Sequence, residues 1–153
     1  MTVYASTLGM LWRMLESYDV DPSGVIPARH YRPGRGITSA TRIRFEEYDA
    51  IQAKALSLIK DPAAGIRSAQ FLHPSHLGAL GHVLLSSSSL RTALRRVVRY
   101  SRMFHDHVDV SLEETSDWVR MIYSMRKKPT RPGHVGDAQV AGVLTWLRLN
   151  AGE

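Results

Sequence analysis

Arg32-Pro33-Gly34-Arg35 places two arginines on either side of a turn-forming Pro-Gly pair. A planar guanidinium grips phosphate or carboxylate through paired hydrogen bonds, so a turn of this kind suits an anionic group. The surrounding stretch, Val25 to Arg44, contains no acidic residue and adds Arg29, His30, Arg42 and Arg44. A solvated basic loop is the plainer reading of the same residues. Three further side chains could serve a small ligand beside Arg32 and Arg35. His82, in an apolar segment, and Tyr100, near the end of a helical pattern, could hydrogen-bond to it, and Trp118 could stack on it.

Other chemistry is argued against by spacing. Ser86 to Ser89 lack the flanking glycines of a nucleophile elbow, and a serine before a helical run serves as an N-cap, so Ser88 or Ser89 is expected to start the next helix. Gly78 and Gly81 are followed by no Lys-Ser/Thr pair and no third glycine, which leaves them as close-packing positions rather than a phosphate loop. His73/His76 and His105/His107 have the look of metal pairs, but neither has an obvious third and fourth ligand nearby. With no cysteine there is no disulfide, thiolate nucleophile or Cys-based metal site. No catalytic residue, metal or cofactor is expected.

These candidates must be held by elements whose periodicities change along the chain. Leu8, Leu11, Trp12 and Leu15 mark an amphipathic helix over residues 5–18, broken at Asp21-Pro22-Ser23-Gly24. A second helix, FEEYDAIQAKALSLIK, has Tyr48, Ile51, Ala55, Leu58 and Ile59 as its apolar stripe, acidic residues in its first turn and Lys60 in its last. A link with a strand-like segment follows, then helices at 77–85 and 89–104. From His107 the period falls to two: Val108, Val110 and Leu112, then Val119, Met121, Tyr123 and Met125, predict an antiparallel hairpin. After a basic loop, Val140, Val143, Leu144 and Leu147 mark a last helix. Helices, then a hairpin, then a helix predict an α+β fold, in which a helical N-terminal portion packs with an antiparallel hairpin or sheet and a C-terminal helix.

At 153 residues the chain makes a single domain, with the composition of a folded protein and no apolar run long enough to span a membrane. No positively charged segment precedes its first apolar stretch, so no secretory signal is expected, and a cytoplasmic location is. The net charge of +6 comes from sixteen arginines and four lysines against fourteen acids, a balance that favours an anionic partner. Arg91, Arg95, Arg96, Arg99 and Arg102 could touch nucleic acid, although no zinc finger, RNP sequence or helix-turn-helix is present to read bases.

Leu77-Gly78-Ala79-Leu80-Gly81, Leu84-Leu85-Ser86-Ser87, Leu90-Arg91-Thr92-Ala93-Leu94 and Arg99-Tyr100-Ser101-Arg102 together resemble the N-terminal sensing domain of one branch of AraC-type bacterial transcriptional regulators, the branch labelled arabinose-binding. Arg42-Ile43-Arg44-Phe45 and Asp61-Pro62-Ala63-Ala64-Gly65-Ile66-Arg67 resemble that domain's entry helix and its exit. The resemblance implies a non-enzymatic regulatory domain over residues 1–153. In it a small effector, with an anionic group if the two arginines grip it, controls DNA binding by an appended helix-turn-helix region. It also implies that this chain stops short of that region and of the last part of the sensing domain. DNA would then be met only through the absent region, a homodimer is compatible with the arrangement, and no membrane is involved. The basic loop departs from the family pattern, so the effector's identity does not follow. Two alternatives stand beside this reading: a self-standing interaction or dimerisation module, and a histidine-based metal or haem sensor.

Overall fold

The computed structural model describes residues 1–37, 41–77, 81–82 and 86–151. Helix α1 runs over Leu8–Ser17 after a 3-10 turn at Ala5–Thr7. Its apolar positions at i, i+3 and i+7 become the centre of the core, with Leu8, Leu11 and Leu15 buried and Trp12 at the margin. Burying each such leucine is worth about 1.5–3 kcal/mol, so this one stripe anchors the N-terminal half. The predicted break at residues 21–24 is a 3-10 turn whose N-cap, Asp21, accepts a hydrogen bond from the Ser23 backbone N–H at 2.9 Å.

The basic segment is short extended structure. Strands β2 (Tyr31–Arg32) and β3 (Gly36–Ile37) pair antiparallel around Pro33-Gly34-Arg35. The Arg35 N–H donates to the Arg32 carbonyl at 3.0 Å, and Gly34 has a φ of +72°, which a side-chain-bearing residue rarely adopts. Strand β4 (Arg42–Arg44) pairs with β1 (Thr2–Tyr4), which on its other side bonds to the segment around His105. There Tyr4 donates to the Phe104 carbonyl at 2.7 Å, and Asp106 donates to that of Thr2 at 3.2 Å. The Asp106 carboxylate accepts from the Thr2 N–H at 2.5 Å in return. Three N-terminal residues thus stitch together residues 42–44 and 104–106, segments about sixty positions apart.

Helix α2 (Phe45–Leu58) follows directly, with Glu46 and Glu47 in its first turn. Lys60 lies beyond its end rather than in its last turn. Its buried face holds Phe45, Ile51, Ala55 and Leu56, and Leu58, assigned above to the stripe, is about half exposed. The link with a strand-like segment is instead helix α3 (Ala64–Ser68) and two 3-10 turns. Here Asp61 caps the turn at Ala63 N–H (2.8 Å), accepts from the Tyr18 hydroxyl (2.5 Å) and pairs with Arg67 (3.1 Å). Such local satisfaction favours a helical start over a strand.

Of the helix expected at 77–85, Gly81 and His82 are described as helical, while residues 78–80 and 83–85, Gly78 among them, lie outside the described residues. Gly81 is a close-packing position: a Cβ there would come 2.0 Å from the Pro74 carbonyl oxygen. Helix α4 (Leu90–Tyr100) opens on Ser89, whose hydroxyl accepts from the Thr92 N–H at 3.2 Å, as the capping argument requires. It ends four residues earlier than its pattern suggested and passes into a 3-10 turn over Ser101–Met103.

Strands β5 (Val108–Glu114) and β6 (Val119–Met125) form the predicted antiparallel hairpin, with Val110 opposite Tyr123 and Leu112 opposite Met121. Helix α5 (Pro132–Ala151) closes the chain, and a proline at its first position costs no hydrogen bond. Two contacts pin the loop before it to α2: Lys127 pairs with Glu46 at 2.5 Å, and the Thr130 hydroxyl donates to Asp49 at 2.7 Å. Its packing face differs from the one expected, because Val140 is 60% and Leu144 50% exposed. The fold is α+β, with a C-terminal helix.

Candidate functional site

A cavity of about 260 Å³ lies between the helices and the β5–β6 hairpin. Met10, Leu11 and Met14 of α1 form one wall, and Tyr48, Gln52 and Leu56 of α2 another. The hairpin contributes Val110, Met121 and Tyr123, residues of one face by strand alternation, and α4 contributes Ala93, Leu94 and Val97. Helix α5 presents Ala138, Gly142, Val143 and Trp146, a face of small residues and one large ring. Small side chains along a helix leave volume rather than fill it. Helix α5 is held in place at Gly65 of α3, where a Cβ would come 2.5 Å from the His134 carbonyl oxygen, so these helices cross at backbone contact.

The lining is mostly apolar, and several of its polar groups are already satisfied. Thr7 donates to the Tyr4 carbonyl, Ser68 to that of Gly65 and Ser101 to that of Val98, each at 3.1 Å or less. Gln52 donates to the Tyr48 hydroxyl at 2.7 Å. The lining also holds Gln139, Tyr123 and three histidines. The Nδ1 atoms of His105, His107 and His134 are buried and have no hydrogen-bond partner. The His105 and His107 rings stand 5.2 Å apart between centroids, and His107 also packs on Phe45 at 4.5 Å.

No Lys, Arg, Asp or Glu is among the described residues lining the cavity. Burial is therefore the main influence on its ionisable groups. It pushes the His107 pKa down to about 4, with the neighbouring His105 ring adding to the effect, and it lowers that of His105 as well. It also raises the Tyr123 hydroxyl to about 12. The two imidazoles and the phenol are thus neutral at pH 7.

The five side chains singled out from sequence lie elsewhere. Arg32 and Arg35 are exposed at the β2–β3 turn, and His82 is exposed. Tyr100 is half-buried beside Phe104 and Trp146, with the Arg99 guanidinium 5.5 Å over its ring. Trp118 is 46% exposed at the hairpin tip, under the Arg120 guanidinium at 5.0 Å. None of the five lines the cavity. The basic face of α4 turns largely to the hairpin: Arg91 and Arg95 both reach Glu114, at 2.5 and 3.0 Å, and Arg102 reaches Asp109 at 2.9 Å.

His105 and His107 were visible in the sequence as a pair. Both stand just before β5, where the chain bends after the bridge at His105, so strand alternation alone does not reveal that their rings meet. Among the described residues, no three His, Cys, Asp or Glu side chains are grouped to hold a metal ion.

Residues 35–153 match the arabinose-binding domain found at the N-terminus of AraC transcription regulators. The chain belongs to this family. No curated protein matches it. The AraC-type domain is a ligand-binding unit of transcription regulators. Among the described residues of this AraC-type chain, no helix is long and apolar enough to cross a membrane.

Proposed function

We propose that this chain senses a small effector inside the cavity enclosed by α1, α2, α4, α5 and the hairpin. The effector's occupancy would adjust how a helix-turn-helix region, attached beyond these residues in the cytoplasmic regulator, engages DNA. The observation that carries the reading is the cavity itself, which meets every major element of the fold. A ligand there touches both the N-terminal core and the C-terminal helix, the element nearest to any following region. Dimerisation of the regulator fits the same scheme.

The effector this lining supports is mostly apolar. A sugar such as arabinose brings several hydroxyls, and most of this lining is Met, Leu, Val, Ala and aromatic surface, with polar partners at only some positions such as Tyr123 and Gln139. An anionic effector gripped by Arg32 and Arg35 would instead sit on the exposed β2–β3 turn, outside the enclosure. Concavity favours the interior site, because a pocket removes more of a ligand's surface from water than an exposed turn does.

The test is a thermal-shift screen of apolar metabolites against the natural chain and a Gly142→Leu variant. Gly142 lines the cavity, and its nearest neighbour to an added Cβ is a Leu72 methyl at 3.8 Å, so a leucine there fills space without a backbone clash. Compounds that stabilise the natural chain and not the folded variant support the reading. Stabilisation unchanged in the variant, and lost instead on replacing Arg32 and Arg35 with alanine, moves the site to the turn.

A further inference from the structure

Helix α5 has two faces, and the cavity uses one of them. On the other, Asp137, Ala141, Leu144 and Arg148 fall at i, i+4, i+7 and i+11, the spacing of a seam along which one helix packs on another. Asp137 and Arg148 are exposed, and Leu144 is 50% exposed. Val140, 60% exposed, stands beside the seam. Ile66 of α3, 56% exposed, lines a shallow groove with Ala141, Leu144 and Arg148. Three open aliphatic side chains in one patch mark a surface suited to a protein partner.

We propose that this face pairs with the same face of a second copy of the chain, the two α5 helices running antiparallel about a two-fold axis between Gly142 and Val143. The proposal stands apart from what fills the cavity.

Charge and size along the seam select this partner. Asp137 lies as far before the axis as Arg148 lies after it, and Ala141 as far before as Leu144 after. An antiparallel pair therefore sets each Asp137 carboxylate against the Arg148 guanidinium of the other copy, and each Leu144 against a small Ala141. A two-fold interface has to complement itself, and this stripe does so in both respects. Parallel helices would instead oppose Asp137 to Asp137 and Arg148 to Arg148. Among the described residues, neither Asp137 nor Arg148 makes an ion pair within the chain, so both charges are available across the axis. An acid near the start of a helix and a base near its end also suit the helix dipole. The dipole gives no reason for Val140, Leu144 and Ile66 to stand open around them. The seam is short and its ion pairs lie at the surface, so the dimer is a weak one that forms with rising concentration.

Sedimentation equilibrium of the natural chain from about 5 to about 500 µM should show a monomer–dimer equilibrium. Asp137→Arg or Arg148→Asp alone puts like charges at both contacts and should weaken the dimer about tenfold or more. Mixing the two single variants should restore association as a heterodimer, because each contact in the mixed pair again joins an arginine to an aspartate. The double variant should recover for the same reason. Leu144→Glu should remove the dimer. These positions are exposed, and recovery on mixing shows in itself that both single variants are folded. A natural chain that stays monomeric over the whole range overturns the proposal. A dimer that both single variants leave unchanged also overturns it, by placing the contact on another face. A mixture that fails to associate rules out the antiparallel register and the proposal with it. None of these results bears on the thermal-shift screen of the cavity.

Discussion

His105 and His107 face one another with ring centroids 5.2 Å apart and planes inclined at 63°. His107 is 4% exposed, and its ring also packs on Phe45. Burial lowers the pKa of both rings, and the His105 ring makes protonation of His107 harder still. Asp106 and Asp49 act in the opposite sense on His107, and the N-terminal amine acts with His105.

A stability prediction follows from this pair. An unfolded histidine titrates near pH 6.5, whereas folded His107 titrates at about 4. Between those values the unfolded chain binds more protons, so folding stability is fully present above about pH 6.5 and falls as the pH drops towards 4. The loss attributable to His107 approaches about 3 kcal/mol at the acid end. Urea unfolding at pH 7.5 and pH 5 measures it, and a His107→Phe variant should show a smaller difference between the two. Equal pH dependence in both proteins contradicts the assignment.

Two glycines give opposite outcomes on replacement by alanine. Gly65 meets the His134 carbonyl oxygen at 2.5 Å from an added Cβ, so Gly65→Ala should destabilise by about 1–3 kcal/mol as α3 and α5 are pushed apart. An added Cβ at Gly136, within α5, meets nothing within 4 Å, and Gly136→Ala should stabilise by up to about 1 kcal/mol through helix propensity. Melting temperatures of the two variants, one below and one above the parent, check the pair together.

Arg42 fastens the N-terminal strand. Its guanidinium donates to the Thr2 hydroxyl at 2.6 Å, the Met103 carbonyl at 2.6 Å and the Thr2 carbonyl at 3.3 Å. Arg42→Ala should cost about 2 kcal/mol, and Arg42→Lys should recover only part of it, because an ammonium cannot reproduce the planar fork. Hydrogen exchange should locate the loss at residues 2–4 and 104–106. Uniform loosening across the chain would argue against a local fastening role.

Arg32 and Arg35 are predicted to be separable from the interior. Replacing both with alanine should leave unchanged the thermal shift of any compound whose effect is lost in Gly142→Leu, since neither arginine lines the cavity. A reduced shift would connect the β2–β3 turn to ligand entry or binding.

The legible parts of the sequence were those in which a hydrophobic period and a capping residue agree. Leu8, Leu11 and Leu15 predicted α1, Ser89 predicted the start of α4, and the alternation from Val108 to Met125 predicted the hairpin; all three are present. The expected stripe of α5 is half right, and for a physical reason. Of Val140, Val143, Leu144 and Leu147, Val143 and Leu147 line the cavity while Val140 and Leu144 face outward, because a helix that borders a cavity turns small residues such as Ala138 and Gly142 inward beside them. Interior volume arises from what side chains fail to fill, and a count of apolar residues does not register it. For the same reason the candidate site was sought among charged and aromatic residues, which went to the turn at Arg32 and the tip at Trp118. The His105/His107 pair drew notice only as a metal pair.

The three tryptophans sit in three different settings. Trp118 is exposed at the hairpin tip, Trp12 packs 4.9 Å from the Tyr31 ring, and Trp146 is 9% exposed on the cavity wall. The chain therefore carries its own optical gauge. With Trp12 and Trp118 changed to phenylalanine, the remaining emission comes from an indole on the cavity wall, and uptake of a ligand there should change its colour in real time without any attached dye.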